Sequence, residues 1–187
     1  MKLIAGIDEA GRGPLAGPVV AAAVILPKYH SIVGLNDSKK ISSKKRSVLY
    51  REIMDRSLGV GVGIVDEKTI DEINILNGTH KAMEKSIDQL EIRPDHVLID
   101  GHGIPNLRIS SEGIVKGDEK VEVIQAASII AKVTRDRIMQ DYAKILPQYG
   151  FEKHKGYGTK KHFEAIIQNK SKRKASHFQL SPSPFLM

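Results

Sequence analysis

The sequence contains no cysteine and no run of apolar residues long enough to span a membrane. Because cysteine is absent, disulfides and thiolate metal sites are excluded, and a bound metal would be held by oxygen or imidazole ligands. The N-terminus lacks the basic and then apolar pattern of a signal peptide. No segment is repeated along the chain. We therefore expect a cytoplasmic protein that has no membrane partner.

Positive charge is in excess. The chain of 187 residues carries a net charge of +7, and its isoelectric point is near 9.5. Such an excess favours a polyanionic partner. One basic cluster is more often a solvated surface than a binding site, but this chain has several. They are Lys39-Lys40, Lys44-Lys45-Arg46, Lys153 to Lys161 and Lys170 to Lys174. The length allows one domain, or one domain with an appendage, and we expect a monomer.

Near-continuous apolar runs predict central strands that are covered on both faces. The third run, LGVGVGIV, alternates with glycine, which indicates close approach of another backbone. The predicted strands are Lys2 to Ile7, Pro18 to Leu26, Leu58 to Val65, His96 to Asp100 and one between Leu107 and Val115.

Helical spacing of apolar residues, together with capping residues, predicts the helices. They are one capped by Ser42, a short one capped by Asp66 that runs to Ile73, one from Ile75 to Leu90, one that follows Asp118 and runs to about Leu146, and one capped by Thr159 that runs through Ile167. A break at Asn74 separates the second from the third. Beyond Pro147, Tyr149 to Thr159 form a basic loop rich in glycine and histidine. The end, Asn169 to Met187, is basic and then rich in serine and proline, so we expect it to be partly irregular.

The stretch from Gly6 to Pro18, GIDEAGRGPLAGP, combines two adjacent carboxylates with a glycine-rich turn. Asp8 and Glu9 stand at the end of an apolar run that predicts a buried strand. Acidic side chains are seldom buried unless they are paired or coordinate a cation. The backbone of Gly11-Arg12-Gly13 can approach a ligand closely because it has little side-chain bulk. This segment therefore predicts a metal-binding edge beside a turn that contacts a ligand.

Two further acids lie near the ends of predicted strands: Asp100 is the last residue of the fourth, and Asp118 follows the fifth. Ligands gather at the strand ends of α/β sheets, so acids after the first and fourth strands converge if those strands are neighbours. Four carboxylates around one point repel one another, and two oxygen-ligated divalent metals, as in nucleases and polymerases, would relieve that repulsion. The spacing leaves alternatives open, because Asp100 could simply begin a turn and Asp118 could be the N-cap of the long helix.

The chain resembles the ribonuclease HII family over almost its whole length. The segments that carry the resemblance are GIDEAGRGPLAGPVVAAAVIL, LNDSKK, VLIDG, VKGD, AASIIAKVTRD and HKGYGT. The resemblance implies an α/β fold with a ribonuclease H-like mixed five-stranded sheet flanked by helices and a C-terminal helical segment. Residues 1–146 would form the catalytic domain, and the basic loop, helix and tail of residues 147–187 would pack on it.

The resemblance also implies an endoribonuclease that cleaves the RNA strand of RNA/DNA hybrids and nicks duplex DNA 5′ to an embedded ribonucleotide. The implied ends are a 3′-OH and a 5′-phosphate, and the implied cofactor is Mg²⁺ or Mn²⁺. By position in the matching segments, the metal-binding catalytic carboxylates are Asp8, Glu9, Asp100 and Asp118. The substrate-binding residues are Gly11, Arg12 and Gly13, whose backbone would recognise the ribose 2′-OH, Lys39 at a phosphate, and Tyr157, which would stack at the RNA-to-DNA junction.

Three other interpretations remain open. A non-catalytic nucleic-acid-binding module would use the basic clusters but not the acids, which repel phosphate. A second interpretation is a site for a small phosphorylated ligand at Gly11-Arg12-Gly13. A glycine-rich loop of that kind normally precedes a helix whose N-terminus holds the phosphate, whereas the sequence predicts that a strand follows this turn. A ribonuclease HIII-like hybrid nuclease usually has another residue in place of Arg12 and an extra N-terminal domain, which we do not expect here.

Overall fold

Five strands form one mixed sheet in the computed structural model of the protein, which describes residues 2–105 and 107–169. The strands are β1 (Ile4–Ala10), β2 (Val19–Ile25), β3 (Gly59–Val65), β4 (His96–Asp100) and β5 (Ser111–Ile114). Their order in the sheet is β3-β2-β1-β4-β5. Strand β2 runs antiparallel to both β1 and β3, whereas β4 runs parallel to both β1 and β5. The predicted α/β class and mixed five-stranded sheet are confirmed.

Helices flank this sheet, and further helices follow its last strand in the chain. They are α1 (Ser43–Arg56), α2 (Glu67–Asp88), α3 (Gly117–Lys120), α4 (Glu122–Ile145), α5 (Phe151–His154) and α6 (Lys160–Asn169), with a 3₁₀ turn at Pro147–Tyr149. Within the residues that the structure describes, every helix is too short or too polar to cross a membrane. The basic cluster from Lys170 to Lys174 and the tail beyond Asn169, predicted to be partly irregular, lie outside the described residues.

The predicted helix caps are confirmed at α1 and α2. The Ser42 hydroxyl accepts a hydrogen bond from the backbone N–H of Lys45 at 3.3 Å. The Asp66 carboxylate accepts one from the N–H of Thr69 at 2.8 Å. Each bond satisfies a backbone donor that the first turn of a helix leaves without a partner. The predicted break at Asn74 is also present, because this residue has a φ of 69° inside α2.

Two predicted boundaries near acidic residues are wrong. Strand β1 continues through Asp8 and Glu9 to Ala10, so both acids lie within the strand and not after its end. The long helix begins at Glu122, because Val121 has an extended conformation (φ −124°, ψ 114°) that interrupts it. Asp118 lies inside the separate short helix α3. The alternative in which Asp118 is the N-cap of the long helix is therefore excluded.

Strand β2 is buried along its whole length because helices cover both faces of the sheet. One core lies on the α2 side and includes Val19, Ala21, Ala23, Ile25, Ala82, Met83 and Ile87. The other lies on the side of α1 and the first part of α4 and includes Ala22, Val24, Leu49, Ile53, Ala126 and Ile130. Alternate residues of β2 therefore enter different cores, as the two-residue period of a strand requires.

The alternating glycines of β3 allow α2 to approach the sheet closely, as predicted. A Cβ built at Gly61 would collide with the carbonyl oxygen of Ser86, and one at Gly63 with that of Ala82. Both oxygens belong to the backbone of α2. Any side chain at either glycine would therefore push the helix away from the strand.

The chain divides into two compact units. Of the described residues, the first contains 2–12, 18–105 and 107–135, and the second contains 13–17 and 136–169. In the second unit, Met139, Ala143 and Phe151 form a small core with Ala16, Tyr142, Leu146 and Tyr149 packed against it. The predicted domain boundary after residue 146 stays a prediction.

Gly63→Ala should destabilise the protein because the new Cβ would overlap a carbonyl of α2. We expect the free energy of unfolding to fall by about 1–3 kcal/mol, the usual cost of overpacking, in urea denaturation followed by circular dichroism. Gly59→Ala is the matched control, since a Cβ there first meets the flexible methyl end of Leu90 at 3.4 Å. Equal stability of the two variants would contradict the close helix approach.

Candidate active site

Strands β1 and β4 place Asp8 and Asp100 at the same end of the sheet. The two strands are adjacent and parallel, and the residues just before the two acids pair with each other in the register. Gly6 lies two residues before Asp8 and therefore faces the same side of the sheet. A Cβ at Gly6 would collide with the backbone of Val123 in α4. Asp8 is thus held on the face that α4 covers, and it is only 5% exposed.

Asp8, Asp100 and Asp118 form a carboxylate cluster, in which one oxygen of each lies within 4.8 Å of the others. Asp100 Oδ1 accepts hydrogen bonds from the backbone N–H groups of Gly117 at 2.7 Å and of Asp118 at 3.2 Å. Lys116, in the left-handed conformation (φ 57°), turns the chain into α3. These hydrogen bonds fix the start of α3 and bring Asp118 beside Asp100.

Burial and the nearby acidic charges make ionisation of Asp8 and Asp118 unfavourable. The pKa of Asp8 lies well above its ordinary value, first because the side chain is buried and then because of the nearby charges of Glu9 and Asp100. Burial, followed by the charges of Asp100 and Asp37, also raises the pKa of Asp118. An added positive charge at the cluster would favour the ionised carboxylates and remove this penalty.

Glu9 follows Asp8 in β1 but lies outside the carboxylate cluster, as far as the described residues go. Its carboxylate lies 3.3 Å from the guanidinium of Arg12. Burial raises the pKa of Glu9, while the charge and hydrogen bond of Arg12 act against that shift. The structure thus brings together three of the four predicted metal ligands and pairs the fourth with Arg12.

Lys39 reaches the carboxylate cluster from the loop between β2 and α1. Its Nζ lies 4.0 Å from Oδ2 of Asp118. Burial acts to lower the pKa of Lys39, but the surrounding acids, Asp37 and then Asp118, raise it above its ordinary value. The Asp37 carboxylate also accepts the backbone N–H of Lys39 at 2.9 Å. This loop therefore presents an ammonium group at the edge of the acidic site.

Residues that sequence reasoning missed hold the Lys39 loop in place. Ser128 of α4 donates a hydrogen bond to the hydroxyl of Ser38 at 2.9 Å. Arg46 donates to the backbone carbonyls of Ser38 at 2.6 Å and Ile41 at 2.5 Å. Arg46 belongs to a basic cluster in the sequence, but its guanidinium anchors the loop. Ser128 and Ser38 lie 90 positions apart in the chain, so sequence spacing carries no signal of their contact.

Arg135 supports the glycine-rich turn and is not among the predicted site residues. It is 1% exposed and donates from Nε to the carbonyl of Pro18 at 2.9 Å. Gly11 has a φ of 115°, and a Cβ there would collide with the same carbonyl and lie 2.6 Å from Arg135 Nε. The fold itself therefore requires glycine at position 11. Arg135 and Pro18 lie 117 positions apart, so sequence spacing carries no signal of this support.

Gly13 and Tyr157 lie side by side in the second unit. A Cβ built at Gly13 would lie 3.7 Å from Cε1 of Tyr157, an ordinary van der Waals distance, so packing alone does not require glycine there. Leu15 N–H donates to the carbonyl of Gly156 at 2.9 Å and joins the two segments. Tyr157 is 44% exposed. Two predicted substrate-binding residues that are distant in sequence thus share one surface.

The donor set of the carboxylate cluster fits a hard divalent cation. All three side chains offer carboxylate oxygens, which are the ligands that Mg²⁺ and Mn²⁺ favour. The charge repulsion within the cluster would be relieved by such an ion. The chemistry of these residues therefore suits metal-assisted reaction of an anionic substrate.

Comparison with known proteins points to one family. The family model described as Ribonuclease HII matches residues 5–181. Ribonuclease HII of Acetivibrio thermocellus is 61% identical over 165 residues, which cover 88% of this chain. The chain spans slightly less than two thirds of that relative, 64% of its length. Ribonuclease HII of Shewanella piezotolerans is 54% identical over 164 residues, which cover 88% of this chain and 81% of that protein.

A solved structure shares the same fold. The crystal structure of ribonuclease H2 from Pyrococcus horikoshii matches with a TM-score of 0.76 and 27% sequence identity. The match covers 95% of this chain and 90% of that chain.

Asp8→Asn should raise the stability of the cation-free protein at neutral pH. The raised pKa of Asp8 means that ionisation costs more in the folded than in the unfolded state. Stability is therefore lost as the pH rises from the ordinary carboxyl pKa through the raised one. Asparagine is uncharged and can still accept the hydrogen bond that Asp8 Oδ1 receives from Glu9 N–H at 2.7 Å.

We expect Asp8→Asn to show a higher urea midpoint than the unmodified protein at pH 7 in excess chelator. The difference should shrink as the pH falls. Asp71→Asn, at an exposed position of α2, is the matched control because it changes the net charge equally. A lower midpoint for Asp8→Asn under these conditions would show that the Asp8 carboxylate is stabilised by its surroundings.

Proposed function

The chain belongs to the ribonuclease HII family, and we propose that it is a metal-dependent endoribonuclease. It would cleave the RNA strand of RNA/DNA hybrids and nick duplex DNA 5′ to an embedded ribonucleotide. The observation that carries the proposal is the carboxylate cluster, whose three acids lie within 4.8 Å of one another.

The combination of a carboxylate cluster with an excess of basic side chains favours a nuclease over a non-catalytic binding module. The net charge of +7 would attract a nucleic acid. The carboxylate cluster would repel its phosphates unless cations are bound there, so a module that only binds would gain nothing from it. A small phosphorylated ligand at the glycine-rich turn is also disfavoured, because β2 and not a helix follows the turn.

Asp8, Asp100 and Asp118 would hold the divalent cations, Mg²⁺ or Mn²⁺, and Glu9 would join them if its pairing with Arg12 opens. Such cations stabilise charge on phosphodiester oxygens and lower the pKa of a bound water. Water would attack phosphorus, and the bond to the 3′ oxygen would break. That oxygen would take up a proton, which leaves a 3′-OH and a 5′-phosphate.

The remaining predicted residues would bind and orient the substrate. The ammonium of Lys39 would contact a phosphate oxygen beside the cluster. Backbone groups of Gly11 and Gly13 would recognise the 2′-OH, which is the group that separates RNA from DNA locally. Tyr157 would stack on the sugar that follows the ribonucleotide. Nicks made at single ribonucleotides would begin their removal from DNA.

The test is cleavage of duplex DNA that contains one ribonucleotide, with Mg²⁺, with Mn²⁺ and with excess chelator. We expect cleavage only with a divalent cation, at the phosphodiester 5′ to the ribonucleotide. Asp118→Asn should reduce the rate at least about 100-fold, in line with loss of a residue that holds catalytic charge. Circular dichroism should show that this variant remains folded.

Asp95→Asn is a control at an exposed acid outside the site, and it should cleave at nearly the normal rate. Robust cleavage in chelator would refute the metal dependence. Nearly full activity of Asp118→Asn would show that the carboxylate cluster is not the catalytic centre.

Gly13→Ala tests whether glycine at position 13 is required for cleavage and not for the stability of the fold. The new Cβ would meet only Tyr157 at 3.7 Å, so we expect a change in the free energy of unfolding below about 1 kcal/mol. Cleavage should nevertheless fall by about tenfold or more, because the methyl group obstructs backbone approach to the ribose, and Gly13→Val should lose more. Full activity of both variants would show that the Gly13 backbone does not contact the substrate.

A further inference from the structure

Two histidines stack on each other in the second unit. The ring centroids of His154 and His162 are 4.4 Å apart, and the ring planes differ by 20°. Phe151 packs edge-on against both rings, at 5.9 Å and 5.5 Å. His162 is 1% exposed. Buried polar nitrogens need hydrogen-bond partners, so the partners of the two imidazole rings identify the backbone groups that the rings hold in place.

The hydrogen bonds of His154 define its tautomer. Its Nδ1 accepts the backbone N–H of Gly156 at 3.3 Å. A ring nitrogen that accepts carries no proton, so the proton lies on Nε2. That Nε2 lies 2.8 Å from the carbonyl oxygen of Tyr149, which can only accept. The two contacts agree on a neutral ring with its proton on Nε2.

His162 has the opposite arrangement. Its Nδ1 lies 2.9 Å from the carbonyl oxygen of Tyr157. Since a carbonyl oxygen only accepts, Nδ1 must carry the proton and donate it. The backbone N–H of His162 also lies 3.3 Å from the hydroxyl of Thr159, which accepts at the start of α6. His162 therefore ties the first turn of α6 to the loop that carries Tyr157.

All four backbone polar groups of Gly156 and Tyr157 have partners, and three come from the two histidines. Gly156 N–H donates to the His154 ring, and Tyr157 N–H donates to the His154 carbonyl at 2.9 Å. The Tyr157 carbonyl accepts from the His162 ring and from Thr159 N–H at 2.8 Å, and the Gly156 carbonyl accepts from Leu15 N–H. The peptide groups next to the tyrosine ring are thus fixed on both sides.

The backbone before Tyr157 has a conformation that it would not hold alone. Lys155 has a φ of 50° and Gly156 a φ of 85°, both in the left-handed region. For a residue with a side chain, such as Lys155, this region costs about 1–2 kcal/mol. A Cβ at Gly156 would also collide with the carbonyl of Ala16. Contacts from the surrounding unit must therefore hold this segment in place.

We propose that His154 and His162 are positioning residues that set the place of the Tyr157 ring. They act through the backbone of Gly156 and Tyr157 and not by contact with the reacting atoms. The proposal rests on the proposed function, in which Tyr157 stacks where ribose is followed by deoxyribose. Loss of either ring contact lets the tyrosine move from Gly13 and weakens cutting at a single ribonucleotide.

The first test compares two amide variants at one position. His162→Asn can keep an N–H near the place of Nδ1, whereas His162→Gln places its amide near the place of Nε2. We expect His162→Gln to lower cleavage of DNA with a single ribonucleotide by about five- to tenfold, the worth of one hydrogen bond. Cleavage of a continuous RNA/DNA hybrid falls less. His162→Asn should recover the rate to within about twofold of normal.

A double-variant cycle tests whether the effect passes through Tyr157. In a Tyr157→Ala background, His162→Gln should cause no further loss, because the residue it positions is already gone. Losses that multiply would overturn the proposal. His80→Gln on α2 is the control for the loss of a histidine outside this pair, and it should leave both rates unchanged.

Nuclear magnetic resonance gives a readout that does not depend on cleavage. Two-bond ¹H–¹⁵N spectra should show the ring proton of His154 on Nε2 and that of His162 on Nδ1. A nuclear Overhauser effect between the Tyr157 ring and the Gly13 α-protons should be present in the unmodified protein and His162→Asn, and lost in His162→Gln. Reversed tautomers, or an unchanged Overhauser effect in His162→Gln, would overturn the proposal.

These readouts separate the proposal from the proposed function. If the unmodified protein fails to nick at a ribonucleotide, the proposed function fails, while the spectra still decide whether the pair positions Tyr157. If His162→Gln does not fold, His154→Gln takes its place. That variant can keep the contact to Tyr149 and loses the acceptor for Gly156, so it should show the same loss of the Overhauser effect.

Discussion

Repulsion among clustered carboxylates is the constraint around which the first unit is arranged. Three acids lie within 4.8 Å of one another at the end of two adjacent parallel strands, and Asp8 is buried besides. Two nearby elements reduce the cost of that arrangement. Backbone N–H groups at the start of α3 bond to Asp100, and Lys39 brings an ammonium to within 4.0 Å of Asp118. The charge that remains unbalanced is what a divalent cation would neutralise.

Close backbone approach is what makes that burial possible. Gly6 lets α4 lie against β1 next to Asp8, and the glycines of β3 let α2 lie against the opposite face of the sheet. Gly11 allows the turn after β1 to pass over Arg135, whose guanidinium fixes the carbonyl of Pro18. The same positions that admit no side chain therefore determine where the acids and the turn lie.

The sequence predicted the elements whose signals are local. Apolar runs located the strands, capping residues located α1 and α2, and acids near strand ends indicated the site. It failed where the determining contact joins distant segments. The spacing could not reveal that Asp100 binds the start of α3, or that Arg135 lies beside Gly11 and bonds to the carbonyl of Pro18. The sequence did not indicate the stacked pair of His154 and His162, because their shared contact with the loop that carries Tyr157 exists only in the folded protein.

The most direct test of the account is the location of bound Mn²⁺ by anomalous scattering from crystals grown with and without the ion. The account predicts a Mn²⁺ peak among the carboxylates of Asp8, Asp100 and Asp118, and its loss or marked weakening in Asp118→Asn crystals treated alike. Mn²⁺ bound only elsewhere, or a cluster that stays empty when the ion occupies other sites, would contradict the central claim.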